Sequence, residues 1–305
     1  MAVTINTNVD SIKIQNQLAS ATSRLSQTMQ RMSSGLKINR AGDDAAGTVI
    51  AAKMDVQLSG NKIAQSNIQN ANNMLSTTEG NLDVIQDNLT RIRDLTLQAK
   101  NMTYSSDEKD AIQSEIEERI AEIDRISSSS KYSGLLLFNR DEAGAGGATD
   151  PLADGAVFQV GADARIDNTI ELGADLFQSV NFSALTGMQT VEQVGGPAGA
   201  AIAQGFDVST LDTGNLSLAV QNLDKALNNI TGRKSIIGSA QNRMESALDT
   251  LTTQYENLSS SKSVITDADM ASEASEYVQA QILQQISTSV LSQANQAPAI
   301  ASSLI

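Results

Sequence analysis

The chain has 305 residues with no histidine, cysteine or tryptophan, and its 21 basic against 35 acidic residues give a net charge of −14. Without imidazole or thiol there is no histidine general base, no thiolate nucleophile and none of the usual zinc or haem ligand sets. The acidic balance argues against a surface for nucleic-acid phosphates or anionic lipid, and no run of about 18 apolar residues is present to insert into a membrane.

The first ten residues, MAVTINTNVD, lack the basic-then-apolar pattern of a secretory signal. If the protein leaves the cell, another route is expected to carry it. From residue 5 onward Ile5, Val9 and Ile12, then Ile14, Leu18, Ala21, Leu25, Thr28 and Met32, recur in steps of three and four. This predicts an amphipathic helix with one phase slip near residue 13. The stretch MSSGLKINRAGDDAAG, residues 32–47, then breaks the pattern. Asp43 and Asp44 are adjacent, so on a helix start they diverge by about 100° and cannot face each other as an acid and base pair. No calcium-loop or phosphate-loop spacing surrounds them. The stretch reads as a corner in which Gly35 and Gly42 turn the chain and Asp43 or Asp44 caps the next helix.

The heptad pattern resumes in Ile68, Ala71, Leu75, Thr78, Leu82, Ile85, Leu89, Ile92, Thr96 and Ala99. A helix from about residue 44 to 99 would be about 80 Å long. Ser105 and Glu108 form a capping-box signature, and Ile112, Ile116, Ile120, Ile123 and Ile126 define a shorter antiparallel helix that SSSSKYSG ends. Residues 134–214 hold 13 of the 20 glycines, two of the three prolines and all five phenylalanines. Phe158 and Val160, then Ile170 and Leu172, alternate around a polar turn and predict a small β-hairpin. A second rod follows, with Leu216, Val220, Leu223, Leu227, Ile230, Ile237, Met244, Leu248, Leu251, Tyr255, Leu258 and Ile265 on one register and Lys234, Gln241 and Lys262 as polar members. In the last segment Met270, Ala274, Val278, Ile282, Ile286 and Val290 drift along one side, and Pro298 is expected to limit the helix.

The fold class is therefore mainly α: long antiparallel helical rods in a coiled-coil-like bundle, with a small β-hairpin and loop region mid-chain. The expected divisions are 1–42, a terminal helix and turn; 43–140, rod helices; 141–214, a short β and loop region; 215–265, a second rod; and 266–305, a closing helix. Met32 and Met244 read as core fillers rather than ligands. The terminal stripes, Ile5, Val9, Ile12, Leu18, Leu25 and Met32 with Val278, Ile282, Ile286 and Val290, cannot stay in water without a large free-energy penalty. They read as a self-assembly device, flanked by Gln, Asn, Ser and Thr that suit packing against identical copies. No catalytic, cofactor or metal site emerges, and an enzyme is not expected.

INTNVDSI, RMSSGLKINRAGDDAAG, RIRDLTLQA, IGSAQNRM, ENLSSSKSVITDADMA, QILQQ and QANQAP, spread over residues 1–140 and 215–305, closely resemble bacterial flagellin. The resemblance implies an extracellular subunit of the helical flagellar filament used for motility, a homopolymer whose paired terminal helices line the inner tube. It also implies export by the flagellar type III route without a cleaved signal. The implied partners are the export chaperone, the filament cap and the hook-associated proteins. It further implies recognition by the flagellin-sensing Toll-like receptor of animal hosts through Arg91, Leu95 and Glu115, with Arg119 also matching. A hook-filament junction protein is the alternative. The ending PAIASSLI lacks the family's usual terminal basic residue, and Lys262 and Val264 stand where Ser-Arg-Ile is usual.

Overall fold

A computed structural model describes residues 8–101, 103–138, 152, 154–187 and 213–303. In chain order the elements are α1 (Val9–Ser34), α2 (Ala45–Ala99), α3 (Ser106–Ser129), β1 (Lys131–Tyr132), β2 (Leu135–Leu136), β3 (Ala156–Gln159), β4 (Thr169–Leu172), α4 (Phe182–Thr186), α5 (Thr213–Thr266) and α6 (Met270–Ser303). The chain divides into two compact units, one of residues 1–59 with 254–305 and the other of residues 60–253. No helix among the described residues is long and apolar enough to cross a membrane.

The unit of residues 60–253 holds the apolar core. All ten heptad residues of α2 from Ile68 to Ala99 are buried, as are the five isoleucines of α3. Thr78 and Thr96 enter this core because each hydroxyl donates to the carbonyl four residues back, Met74 at 2.8 Å and Ile92 at 2.7 Å. Side chains along α5 pair antiparallel with α2: Arg93 Nε lies 2.6 Å from Asp224 Oδ1 and Lys234 Nζ 2.5 Å from Asp83 Oδ1, while Gln241 donates to Glu79 at 3.3 Å. Ser105 caps α3, and the Glu108 carboxylate reaches back to the Ser105 N–H at 2.8 Å, completing the capping box.

Two antiparallel hairpins close this unit. β3 pairs with β4 so that Phe158 faces Ile170 and Ala156 faces Leu172. Ile170, Leu172 and Ala156 are buried, following the period-two pattern, while Val160 lies just past the strand and packs half-buried against the core. The β1–β2 hairpin, Lys131 to Leu136, is a second one that the sequence pattern did not single out, because two-residue strands carry no period. Phe138, Phe177 and Phe182 are fully buried and fix the crosspiece of residues 174–187 on the helices.

In the other unit α1 packs along α6. Asn8 caps α1 by accepting the Ser11 N–H at 3.0 Å. Contrary to expectation, Pro298 does not end α6, which runs to Ser303. A proline has no N–H to give the carbonyl four residues back, here that of Ala294. Asn8 Nδ2 donates to this carbonyl at 2.9 Å, so the helix passes the proline with its freed acceptor satisfied.

Candidate assembly surface

The side of α6 turned to α1 is its less apolar one. Glu273 and Ala280 are buried, and Tyr277, Gln284, Ser287, Leu291 and Ala294 are half-buried, in alternating steps of four and three. From α1 come buried Ser11, Ala21 and Thr28, with half-buried Ile14, Leu18, Leu25 and Met32. Much of the seam is polar and hydrogen-bonded: Ser11 Oγ donates to Asn295 Oδ1 at 2.9 Å, and Arg31 Nη1 lies 3.2 Å from Glu273 Oε1. The other side of α6 carries Val278, Ile282, Ile286 and Val290 at 50, 50, 53 and 43 % exposure, around an open apolar depression lined with Ala274, Leu283 and their neighbours.

The predicted stripe thus separates into two populations. Leu18, Leu25 and Met32 are half-buried in the helix pair itself, whereas Val9, Ile12 and the four α6 residues face outward. Ile5 lies outside the described residues. The split in α1 follows the phase slip near residue 13, which rotates Val9 and Ile12 off the seam and puts Ser11 into it. No apolar periodicity signals a buried serine, so Ser11 was not legible in the sequence. After Glu276 the sequence has no Asp, Glu, Lys or Arg, so this face carries no charged side chain that would repel a like surface.

The corner between α1 and α2 is built from local hydrogen bonds. Gly35 takes the left-handed conformation, φ 73°, and its N–H reaches Arg31 O at 2.8 Å. Asp43 Oδ2 accepts the N–H groups of Asn39 and Arg40 at 3.1 and 3.0 Å, and these bonds hold its carboxyl below the usual aspartate range. Asp44 Oδ1 accepts the Gly47 N–H at 2.9 Å at the start of α2. Gly42 lies in the turn but is not at positive φ, and a Cβ there would meet nothing. Besides Gly35, Gly47 is tightly placed: a Cβ there would sit 2.5 Å from Asp44 Oδ2 and 2.6 Å from Ile38 Cδ1, so those side chains would have to move aside. The two crossovers of this unit are clipped together: Lys37 N–H donates to Thr266 O at 2.7 Å and Ala268 N–H to Gly35 O at 2.9 Å.

In the other unit, Arg91 on α2 makes a two-pronged contact with Glu115 on α3, Nε to Oε1 at 3.0 Å and Nη2 to Oε2 at 3.3 Å. Arg119 adds Nε to the same Oε1 at 3.2 Å and donates Nη1 to Asn88 Oδ1 at 3.1 Å. The hydrogen bond from Arg91 lowers the pKa of Glu115, and that of Arg91 rises in return. Leu95 does not join this surface cluster. At 2 % exposure it belongs to the core, since one helical turn along from Arg91 the α2 face has rotated inward. Among the described residues no group of three or more His, Cys, Asp or Glu side chains could hold a metal ion.

Two family models match the chain: the bacterial flagellin N-terminal helical region over residues 5–143 and the C-terminal helical region over 220–304. A flagellar filament 30.7 kDa core protein of Treponema maltophilum is 34 % identical over 293 residues, covering 95 % of each chain. Flagellin of Bacillus subtilis is 35 % identical over 305 aligned positions, covering 96 % of this chain and 97 % of that one. A solved structure from Vibrio parahaemolyticus, provisionally assigned as a flagellar hook-associated protein, superposes with a TM-score of 0.55 at 14 % identity, covering 73 % of this chain and 99 % of that one, a likeness of fold alone. With both helical regions matched and relatives of the same length aligned end to end, the chain belongs to the bacterial flagellin family.

Proposed function

We propose that this chain is a structural subunit of the extracellular flagellar filament and that it self-assembles through its paired terminal helices to serve motility. The observation that carries the reading is the orientation of α6, which pairs with α1 through its less apolar side while Val278, Ile282, Ile286 and Val290 stay about half-exposed on the other. Burying the exposed half of each side chain is worth about 1 kcal/mol, so a copy-to-copy contact along this face gains several kcal/mol. The family is structural rather than enzymatic. Full-length protein seeded with filament fragments is expected to elongate, and a chain lacking residues 1–40 and 270–305 to remain monomeric. Filaments from the shortened chain, seen by electron microscopy, would refute the terminal-helix reading.

A hook-filament junction role is set aside: that likeness is one of fold, whereas the relatives matched along their whole length are flagellins and filament core proteins. The export chaperone, the filament cap and the hook-associated proteins belong to the same reading as partners. So does export without a cleaved signal, for which filaments recovered from cells should carry the encoded N-terminus.

Host recognition rests on a narrower base. Arg91, Glu115 and Arg119 form an exposed cluster suited to a polar partner surface, with the side chains of Arg91 at 49 % and Glu115 at 36 % exposure. Leu95 contributes only by packing. Arg91→Ala is expected to lower the response of Toll-like-receptor reporter cells about tenfold while leaving the melting temperature within about 2 °C, since exposed ion pairs contribute little to stability. An unchanged response removes the cluster from the receptor reading.

A further inference from the structure

The terminal helices are not the only part of their unit that leaves apolar side chains in water. In the first turns of α2, Val49 is 56 % and Val56 73 % exposed. They are seven residues apart, two turns of helix, and so share one face with Lys53 between them. Ala51 is buried and Met54 and Leu58 half-buried, and these three lie on the opposite face. This length of α2 is therefore apolar on both sides, a pattern of helices covered on both sides rather than of surface helices.

The end of α5 repeats the pattern. Leu258, Lys262, Ile265 and Thr266 are its covered side, and Lys262 Nζ reaches Asp55 Oδ1 of α2 at 2.5 Å. On the far side lie Asn257, Ser260 and Val264, and Val264 is 81 % exposed. Both helices turn their covered sides into the same unit, so their bare sides point away from it in different directions. One bare side is bulky, valine with a lysine; the other is small and neutral with a single valine knob.

We infer that these two sides form a second subunit contact, in which the Val49–Val56 side of α2 on one copy seats on the Asn257–Ser260–Val264 side of α5 on the next. The inference rests on the filament reading and adds to it a contact outside the terminal helices. Three features commit the occupant to another copy of this chain. Relatives aligned along their whole length include a flagellar filament core protein. The unit that carries both sides, residues 1–59 and 254–305, has 7 basic and 9 acidic residues, close to neutral, so identical copies can crowd there. Finally, joining two different faces is a heterologous contact, the kind that runs on as an open helix wherever its rotation does not close into a ring. Lys53, between the two valines, has no ion pair among the described residues, and Glu256 beside Asn257 has none either, so one side offers a positive charge and the other a negative one.

The chain has no cysteine, so introduced thiols report without background. Val56→Cys and Val264→Cys are combined in one chain, co-assembled with an equal amount of unmodified protein, and oxidised after sedimentation of the filaments. A ladder of disulfide-linked oligomers that is absent from the unassembled protein and from each single variant is the expected result. Filaments that contain the double variant yet give no ladder overturn the contact. A second measurement needs no incorporation: Val49→Ser with Val56→Ser is expected to leave the monomer's melting curve unchanged and to raise the concentration needed for elongation at least tenfold. An unchanged threshold also overturns the contact. Failure of the unmodified chain to elongate on seeds would instead refute the filament reading beneath it.

Discussion

Asp124 sits half-buried on α3, and its Oδ1 accepts the N–H of Phe182 at 2.8 Å, where the crosspiece begins its short helix. Burial raises its pKa above the ordinary aspartate value, and the hydrogen bond from Phe182 only partly opposes this. A carboxyl whose folded pKa is raised contributes stability that is complete below the unfolded pKa and is lost as pH rises through the folded one. At pH 7 the fold therefore carries an ionised group it would prefer neutral. Asp124→Asn keeps an acceptor for Phe182 without the charge, so its melting temperature should equal or exceed that of the native chain at pH 7. The difference should close as pH falls through the aspartate range. Asp124→Ala removes the acceptor that the Phe182 N–H uses on α3 and should cost about 1 kcal/mol at either pH. A loss of stability in the Asn variant comparable to that of the Ala variant would show that the charge itself is needed. Arg233 is the companion case on α5: buried, with its pKa pulled down by burial, it donates to Gln178 O at 2.7 Å and Asn229 Oδ1 at 2.8 Å. The heptad count placed Lys234 in that role. It missed Arg233 because a basic residue at a core position is identified by the carbonyl it meets, which sequence spacing does not contain.

Spacing served well wherever large aliphatic residues alone fill a seam. The α2 and α3 patterns needed no correction, and the alternation at Phe158 and at Ile170 and Leu172 marked the two strands of β3–β4, although Val160 falls just past β3 and the register that sets Phe158 opposite Ile170 is seen only in the structure. On α5 the buried line runs through Leu216, Ala219, Leu223, Ala226, Ile230, Arg233, Ile237, Ala240 and Met244, so alanines occupy places that counting by size gave to Val220 and Leu227. Alanine is weakly apolar and is read by neighbours, not by itself. The same ambiguity is sharper on α6, where the richest stripe faces outward and the packed seam is Glu, Tyr, Ala, Gln, Ser and Leu. A helix with two partners carries two seams, and a monomer's sequence does not label which belongs to the fold. Pro298 was misread for a related reason. Its usual penalty includes an unpaired carbonyl, and here Asn8, far away in the chain, supplies the missing donor. In the corner, spacing pointed to Gly35, Asp43 and Asp44 because their bonds are local, whereas Gly42 is not at positive φ and Gly47 carries no spacing signal. The Arg91–Glu115 cluster followed only from resemblance, and Leu95 was assigned to a surface that its helix turns away from.

Charge and core are divided between the two units in a way that fits a polymer. Residues 60–253 hold 14 basic and 26 acidic residues and the whole cluster of buried leucine, isoleucine and phenylalanine. Among the described residues of the other unit the fully buried hydrophobic residues are Ala21, Ala51 and Ala280, accompanied by Ser11, Thr28, Thr266 and the Arg31–Glu273 pair, in which Arg31 Nε and Glu273 Oε2 are left without partners, while Ile14, Leu18, Leu25 and Met32 are only half-buried. Such a seam gains little from apolar burial, and isolated helix pairs owe most of their stability to packing of this kind. Local opening should therefore be much easier there than in the aliphatic core. In the free chain, amides of residues 14–30 and 274–290 are expected to exchange with solvent at least about 100-fold faster than those of residues 68–95 and 223–244, a difference of about 2.7 kcal/mol in opening free energy. In sedimented filaments that gap should narrow, because the stripe of Val278, Ile282, Ile286 and Val290 then gains the apolar partner it lacks in the free chain. Uniform protection in the free chain would mean that the terminal pair is self-sufficient, and the outward stripe would lose its reason to assemble. Slow exchange appearing only on assembly would instead tie the order of the chain ends to polymer formation, so that the subunit completes its fold as it is added.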